Sequence, residues 1–265
     1  MASFALTCRR CGEFRVYVSV RDDLCVRTSD VEVRYRSGSH GDVVTTLDAV
    51  DARQVAAGVP VRDFPVYVGR KNYSGHFWSA TMGTHVVYES LLEQSWLWLA
   101  DFAHEITSIA AQPMQVRGPD GSRTRTRIPD FMCLTSTGSV RVVDVKPAVM
   151  LRKHAVTESL AWMAAACRSR GWEYDVWTGP DSVVLRNVRW IAAARAPHVM
   201  ARLDVASVLA AASGGRTFAD LEARLASSNR RSPRLELLGA LWLGALTTDL
   251  TTPLGPDSWL EPTDA

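Results

Sequence analysis

Lysine is almost missing from this chain. It stands only at positions 71, 146 and 153, so the remaining 27 of 30 basic residues are arginine (30 − 3). A GC-rich coding bias explains the excess, and it gives the few lysines weight. Where arginine is the default cation, a retained lysine marks a place for a compact ammonium in preference to a planar fork. Long apolar runs are missing too: no stretch reaches 18 residues, so no transmembrane helix is expected. The opening "MASFALTCRR" is too short and wrongly charged for a secretory signal. Cysteine is scarce, with five residues at 8, 11, 25, 133 and 167. That odd, scattered set argues against a disulfide framework and for a reducing cytoplasm. A net charge of only +2 excludes the bulk polycationic character that announces many nucleic-acid binders.

What is present suffices for a mixed α/β fold. With 265 residues, 47% of them apolar, the chain can bury one good core and a second small one. Residues 1–30 are an extension of uncertain character. Cys8-Arg9-Arg10-Cys11 resembles half of a zinc knuckle, but a structural zinc takes four ligands, and only Cys25 and His40 follow, at irregular spacing. From Val31, "VEVRYRS" alternates as a strand does, "GSHGD" reads as a turn and "VDARQVAAG" as a short helix. Residues 64–83 mix aromatics with Arg70, Lys71 and His76, which reads as an exposed loop. Such a loop either tracks a nucleic-acid backbone or packs its rings onto the domain.

Apolar spacing predicts a helix over 84–103 carrying Glu89 and Glu93 on one face, with Glu105 just beyond. Strands are expected over 105–118, 125–134 and 138–146. A helix over 151–170 stops at Gly171, with Lys153 and His154 near its start, where phosphate could be met, and "WEYDVWTG" follows as a strand. Residues 31–197 thus form one domain. From 198 onward, three Ala- and Leu-rich helices and a terminal β wing predict a small winged-helix-like domain over 198–265.

The chemistry concentrates in "RTRIPDFMCLTSTGSVRVVDVKPA", residues 125–148. Strand alternation places Val140, Val142, Asp144 and Lys146 on one face, the valines entering a core and the charges emerging at the strand end. A hairpin of this length brings Asp130 beside Asp144. Alone, Asp144 and Lys146 could be a surface ion pair contributing about 0–1 kcal/mol. Two adjacent carboxylates, however, are costly unless they share a proton or a cation. Hard divalent ions take such oxygens, completed by waters and substrate phosphate, and a neighbouring lysine can position an attacking water or offset phosphate charge. Cys133 reads as a buried thiol, and Gln112-Pro113 as a kink at a strand end.

The ordered series of helix Glu, strand Pro-Asp and strand Asp-x-Lys, then a helix and a strand, resembles the PD-(D/E)xK nuclease superfamily with its restriction-endonuclease-like core. More narrowly, "GRKNYSGHFWSATMGTHVVYESLLE", "SIAAQPMQV", "RIPDF", "VVDVKP", "GWEY" and "NVRWIAAAR" resemble the TnsA-like endonuclease subunit of heteromeric transposases. The resemblance implies Mg²⁺- or Mn²⁺-dependent cleavage of double-stranded DNA at the 5′ ends of a mobile element, with a DDE transposase and an AAA+ ATPase as partners. It assigns Glu89, Asp130 and Asp144 to the metal and Lys146 to catalysis. Arg70, Lys71, His76 and Lys153 are candidate DNA contacts. The alternatives are a stand-alone nuclease of the same fold in restriction or phage defence, and a non-catalytic DNA-binding or scaffold subunit.

Overall fold

Two sheets share one core in the larger of two units. The structure, a computed structural model, describes residues 15–16, 26–39, 41–62, 73–228 and 232–263. Cys8, Cys11, Cys25, His40, Arg70 and Lys71 lie outside these residues, as does most of the extension over 1–30. The larger unit comprises Phe14–Ala100 and Glu105–Gly179, and the smaller takes in Asp101–His104 and Pro180–Ala265. The smaller unit therefore begins before the expected boundary at 198.

In chain order the larger unit contains β1 (Arg15–Val16), β2 (Glu32–Ser37), β3 (Gly41–Thr46), α1 (Ala52–Ala56), β4 (Gly75–Ser79) and β5 (Thr84–Tyr88). Then come α2 (Leu91–Phe102, of which Asp101 and Phe102 fall in the smaller unit), β6 (Ile106–Ala111), β7 (Gln115–Asp120), β8 (Arg123–Arg127), β9 (Phe131–Thr135), β10 (Val140–Val145), α3 (His154–Ser169) and β11 (Glu173–Trp177). A five-stranded sheet has the order β1-β11-β10-β9-β6, and a four-stranded sheet has β3-β2-β7-β8. β9 and β10 form an antiparallel hairpin, whereas β10 and β11 run parallel, joined through α3. The fold is thus mixed α/β.

The core draws on both sheets. Val31, Val33 and Tyr35 near β2, Val116 of β7, Met132 of β9 and Val142 of β10 belong to one buried cluster with Trp162 of α3. Trp162 is fully buried, and its indole N–H donates to the Pro119 carbonyl at 2.8 Å. A side chain at Gly118 would meet Val31 Cγ2 at 2.9 Å and Trp162 Cζ2 at 3.2 Å, so glycine there admits the close approach of β7 to the tryptophan. On α2, Trp96 stacks on Phe131 with ring centroids 4.4 Å apart.

Several expected elements differ. Residues 84–88 are a strand paired with Gly75–Ser79, so the stretch over 64–83 is not all loop and the helix begins only at Leu91. Thr84, Val86, Val87 and Tyr88 carry the β-branched and aromatic chains that suit a strand. The Ser90 hydroxyl accepts the Glu93 N–H at 3.1 Å and starts the helix in the manner of a capping box. The single strand expected over 105–118 is two strands in different sheets. Gln112 turns the chain between them with φ +44°, a left-handed conformation rare outside glycine. The strand expected over 125–134 divides likewise at Ile128–Asp130.

The smaller unit contains α4 (Ser182–Ile191), α5 (Pro197–Met200), α6 (Val205–Ala212), β12 (Arg216–Thr217), α7 (Phe218–Ser227), α8 (Pro233–Trp242), β13 (Leu246–Thr247) and β14 (Trp259–Pro262). Its strands form a sheet of order β12-β14-β13. The expected long helix over 232–250 stops at Trp242, because Gly244 takes φ +69° and the chain turns into β13. Every residue from Leu237 to Trp242 is buried.

Trp162→Ala should destabilise the larger unit by about 3–5 kcal/mol, the range for emptying a core aromatic site. Urea unfolding followed by circular dichroism measures it.

Candidate functional site

β-pairing builds the site. Phe131 pairs with Val143 and Met132 with Val142, which carries Asp130 to the place opposite Asp144. The Val145 N–H donates to Asp130 Oδ2 at 2.7 Å and ties the two strand ends together. Lys146 is held to β11 by its N–H, which donates to the Trp177 carbonyl at 2.9 Å. Its ammonium lies between the carboxylates, with Nζ 2.7 Å from Asp130 Oδ2 and 3.3 Å from Asp144 Oδ1. Asp130, Asp144 and Lys146 therefore meet as the sequence predicts.

Asp144 is fully buried, and its charge is met on several sides. Arg127, at the end of β8, donates to Oδ1 at 2.7 Å, and the Tyr174 hydroxyl of β11 donates to Oδ2. Burial raises the Asp130 carboxyl above the ordinary range and the charge of Asp144 adds to this, while Lys146 opposes both. For Lys146 itself, burial disfavours the ammonium, but the two carboxylates outweigh it and its pKa is raised. Burial, with the charge of Asp144, also keeps the Tyr174 hydroxyl protonated and so able to donate. Formally, two carboxylates balance two cations.

Glu89 does not lie one turn into a helix but just before α2. Its carboxylate takes the Arg62 guanidinium, whose Nε donates to Gln112 Oε1 at 2.7 Å. The Gln112 N–H in turn donates to the Asp130 carbonyl at 2.8 Å. Glu89 is thus linked to the carboxylate pair through Arg62 and the left-handed corner. Glu93 is the glutamate in the first turn of α2, and it accepts from the Glu89 N–H at 2.7 Å and the Ser90 hydroxyl at 2.9 Å. Burial raises its pKa, and the charge of Asp130 acts in the same direction, so Glu93 and Asp130 sense one another.

Of the candidate DNA contacts within the described residues, His76 is exposed on β4 with its ring edge-on to His85, and Lys153 is exposed at the N-terminus of α3. Cys133 is buried, and its thiol is pushed up to about 12 by burial, which removes it as a nucleophile. Arg127, Tyr174 and Arg62 were missed by sequence reasoning. A signal existed for Tyr174: it pairs with Val142, the residue two before Asp144, and so shares its face.

The residues that could hold a hard divalent cation are Asp130 and Asp144. Asp130 Oδ2 and Asp144 Oδ1 already converge on one cationic atom, Lys146 Nζ, which serves as a stand-in. Among the described residues no three His, Cys, Asp or Glu side chains gather as a ligand set. Two carboxylates suit Mg²⁺, which commonly takes one or two and fills its other positions with water and phosphate.

Lys146→Met should leave two carboxylates facing each other and destabilise the unit by about 3–5 kcal/mol at neutral pH, the cost of breaking a buried pair. The folded-state pKa of Asp130 is already raised, and losing Lys146 raises it further. The folded variant then holds its proton more tightly than the unfolded chain does, so its stability falls as pH rises. The deficit against wild type should therefore widen from below about pH 4 towards pH 7, as urea unfolding across that range measures. Comparison with known protein families and with curated proteins returns no match for this chain.

Proposed function

We propose that this chain is a metal-dependent endonuclease of the PD-(D/E)xK type that hydrolyses phosphodiester bonds in double-stranded DNA. The observation that carries the reading is the Lys146 ammonium bridging Asp130 and Asp144 at the paired ends of β9 and β10. Asp130 and Asp144 would hold Mg²⁺ or Mn²⁺. A bound ion supplies Lewis-acid polarisation of the phosphate and acidifies its own water. Lys146 has the reach and charge to orient the attacking water or to offset charge developing on the phosphate. Tyr174 and Arg127 hold the Asp144 carboxylate in place by donating to its two oxygens. For the helix glutamate, Glu93 sits in the first turn of α2, whereas Glu89 precedes the helix and holds Arg62.

The narrower reading is a TnsA-like subunit that cuts the 5′ ends of a mobile element alongside a DDE transposase and an AAA+ ATPase. It rests on the resemblance of the quoted motifs and on the sequence of helix, Pro-Asp strand and Asp-x-Lys strand. In the smaller unit, the order α6-β12-α7-α8-β13-β14 with strand order β12-β14-β13 supports a winged-helix-like reading. Its last helix, α8, is buried through Leu237–Trp242, which favours a structural role over groove reading for that helix.

Asp130→Ala and Lys146→Ala should each abolish Mg²⁺- or Mn²⁺-dependent nicking of element-end DNA, assayed with the partner subunits present. Circular dichroism checks that each variant stays folded. Unchanged nicking by a folded Asp130→Ala protein overturns the proposal.

A further inference from the structure

Arg127 is buried beside the carboxylate pair with part of its guanidinium unpaired. Its Nη2 donates to Asp144 Oδ1 at 2.7 Å and its Nη1 to Ser159 Oγ at 3.3 Å, but its Nε is buried without a hydrogen-bond partner. A buried donor left unpaired costs about 1–3 kcal/mol, and one placed beside a pair of carboxylates calls for an explanation. Arg127 also ends a row. Along β8, Arg123, Arg125 and Arg127 alternate with Thr124 and Thr126 and share one side of the strand. Asp120 engages both Arg125 and Arg123, and Glu158 lies 3.7 Å from Arg123, so the first two cations have carboxylates outside the catalytic pair. Arg127 alone in the row has its counter-ion in Asp144.

We propose that Arg127 is the phosphate ligand of this site. It holds Asp144 in this structure, and in the substrate complex it exchanges that carboxylate for non-bridging oxygens of the DNA backbone. The inference rests on the endonuclease reading. In that reading Asp144 must present oxygen to another cation, although Arg127, Tyr174 and Lys146 all lie on it here. Releasing Asp144 would leave a buried guanidinium unbalanced. A phosphodiester restores the charge, and its paired oxygens match the fork of a guanidinium, including the unpaired Nε.

The test separates phosphate binding from mere pairing with Asp144. Wild type, Arg127→Gln, Asp144→Asn and the double variant are compared by fluorescence anisotropy with a labelled DNA duplex, across a salt series and with EDTA present. In the double variant a neutral pair replaces the buried ion pair, so no charge is stranded, and circular dichroism checks its fold. Arg127→Lys, which keeps the charge, is the second variant should the double one fail to fold. In the Asp144→Asn background, Arg127→Gln should weaken binding and reduce the slope of log K against log salt by about 0.9, the loss of one phosphate contact. Arg127→Lys in that background should retain the slope but bind more weakly than arginine. Equal affinity and equal slope with and without Arg127 would overturn the inference while leaving the endonuclease reading intact. No DNA binding by wild type even at low salt would overturn both.

Discussion

Everything at the candidate site depends on how one ammonium offsets two carboxylates. Asp130 and Asp144 end adjacent strands because β9 and β10 pair in register, and a register slip by one residue would turn both away from each other. Their mutual repulsion is offset by Lys146 Nζ, 2.7 Å from one and 3.3 Å from the other, with Arg127 adding a second cation at Asp144. The backbone enforces this arrangement: the Val145 N–H fastens Asp130, and β11 fastens Lys146. A compact ammonium reaches both oxygens where a planar guanidinium would demand a wider gap, which gives physical content to the rarity of lysine in an arginine-rich chain.

Around that centre the fold distributes its polar groups by layer. Tyr174 arrives from the neighbouring parallel strand, whereas Arg127 comes from the other sheet, and both meet the buried Asp144 carboxylate. The apolar layer beneath, from Val142 to Trp162, fixes the distance between the sheets. Packing and electrostatics are therefore not separable here. A shift of Trp162 would move β7 and, with it, the β8 hairpin that carries Arg127.

Strand parity made the centre of this site legible in the sequence, because a period of two assigns Asp144 and Lys146 to one face without any tertiary information. The adjacency of Asp130 was legible for a similar reason, since a short turn constrains which residues can oppose each other. Arg127 was not legible: its contact crosses from one sheet to the other, and no local pattern encodes that approach. Glu89 was misplaced because apolar spacing at 88, 91 and 92 imitates a helix, whereas Ser90 with Glu93 already marks the true start. The break at Gln112 was half legible. Pro113 announces a kink, but nothing in the chain announces that the next strand joins a different sheet.

Burial of α8 has a consequence for information rather than for stability. A helix that reads base edges must offer one face to a groove about 12 Å wide, and Leu237–Trp242 offers none. Sequence preference cannot be rewritten by exchanging side chains there, because each exchange would first be a core mutation. If this unit meets DNA or a partner protein, the residues free to vary are those on its loops and the polar faces of its other helices. α8 is committed to holding them in place.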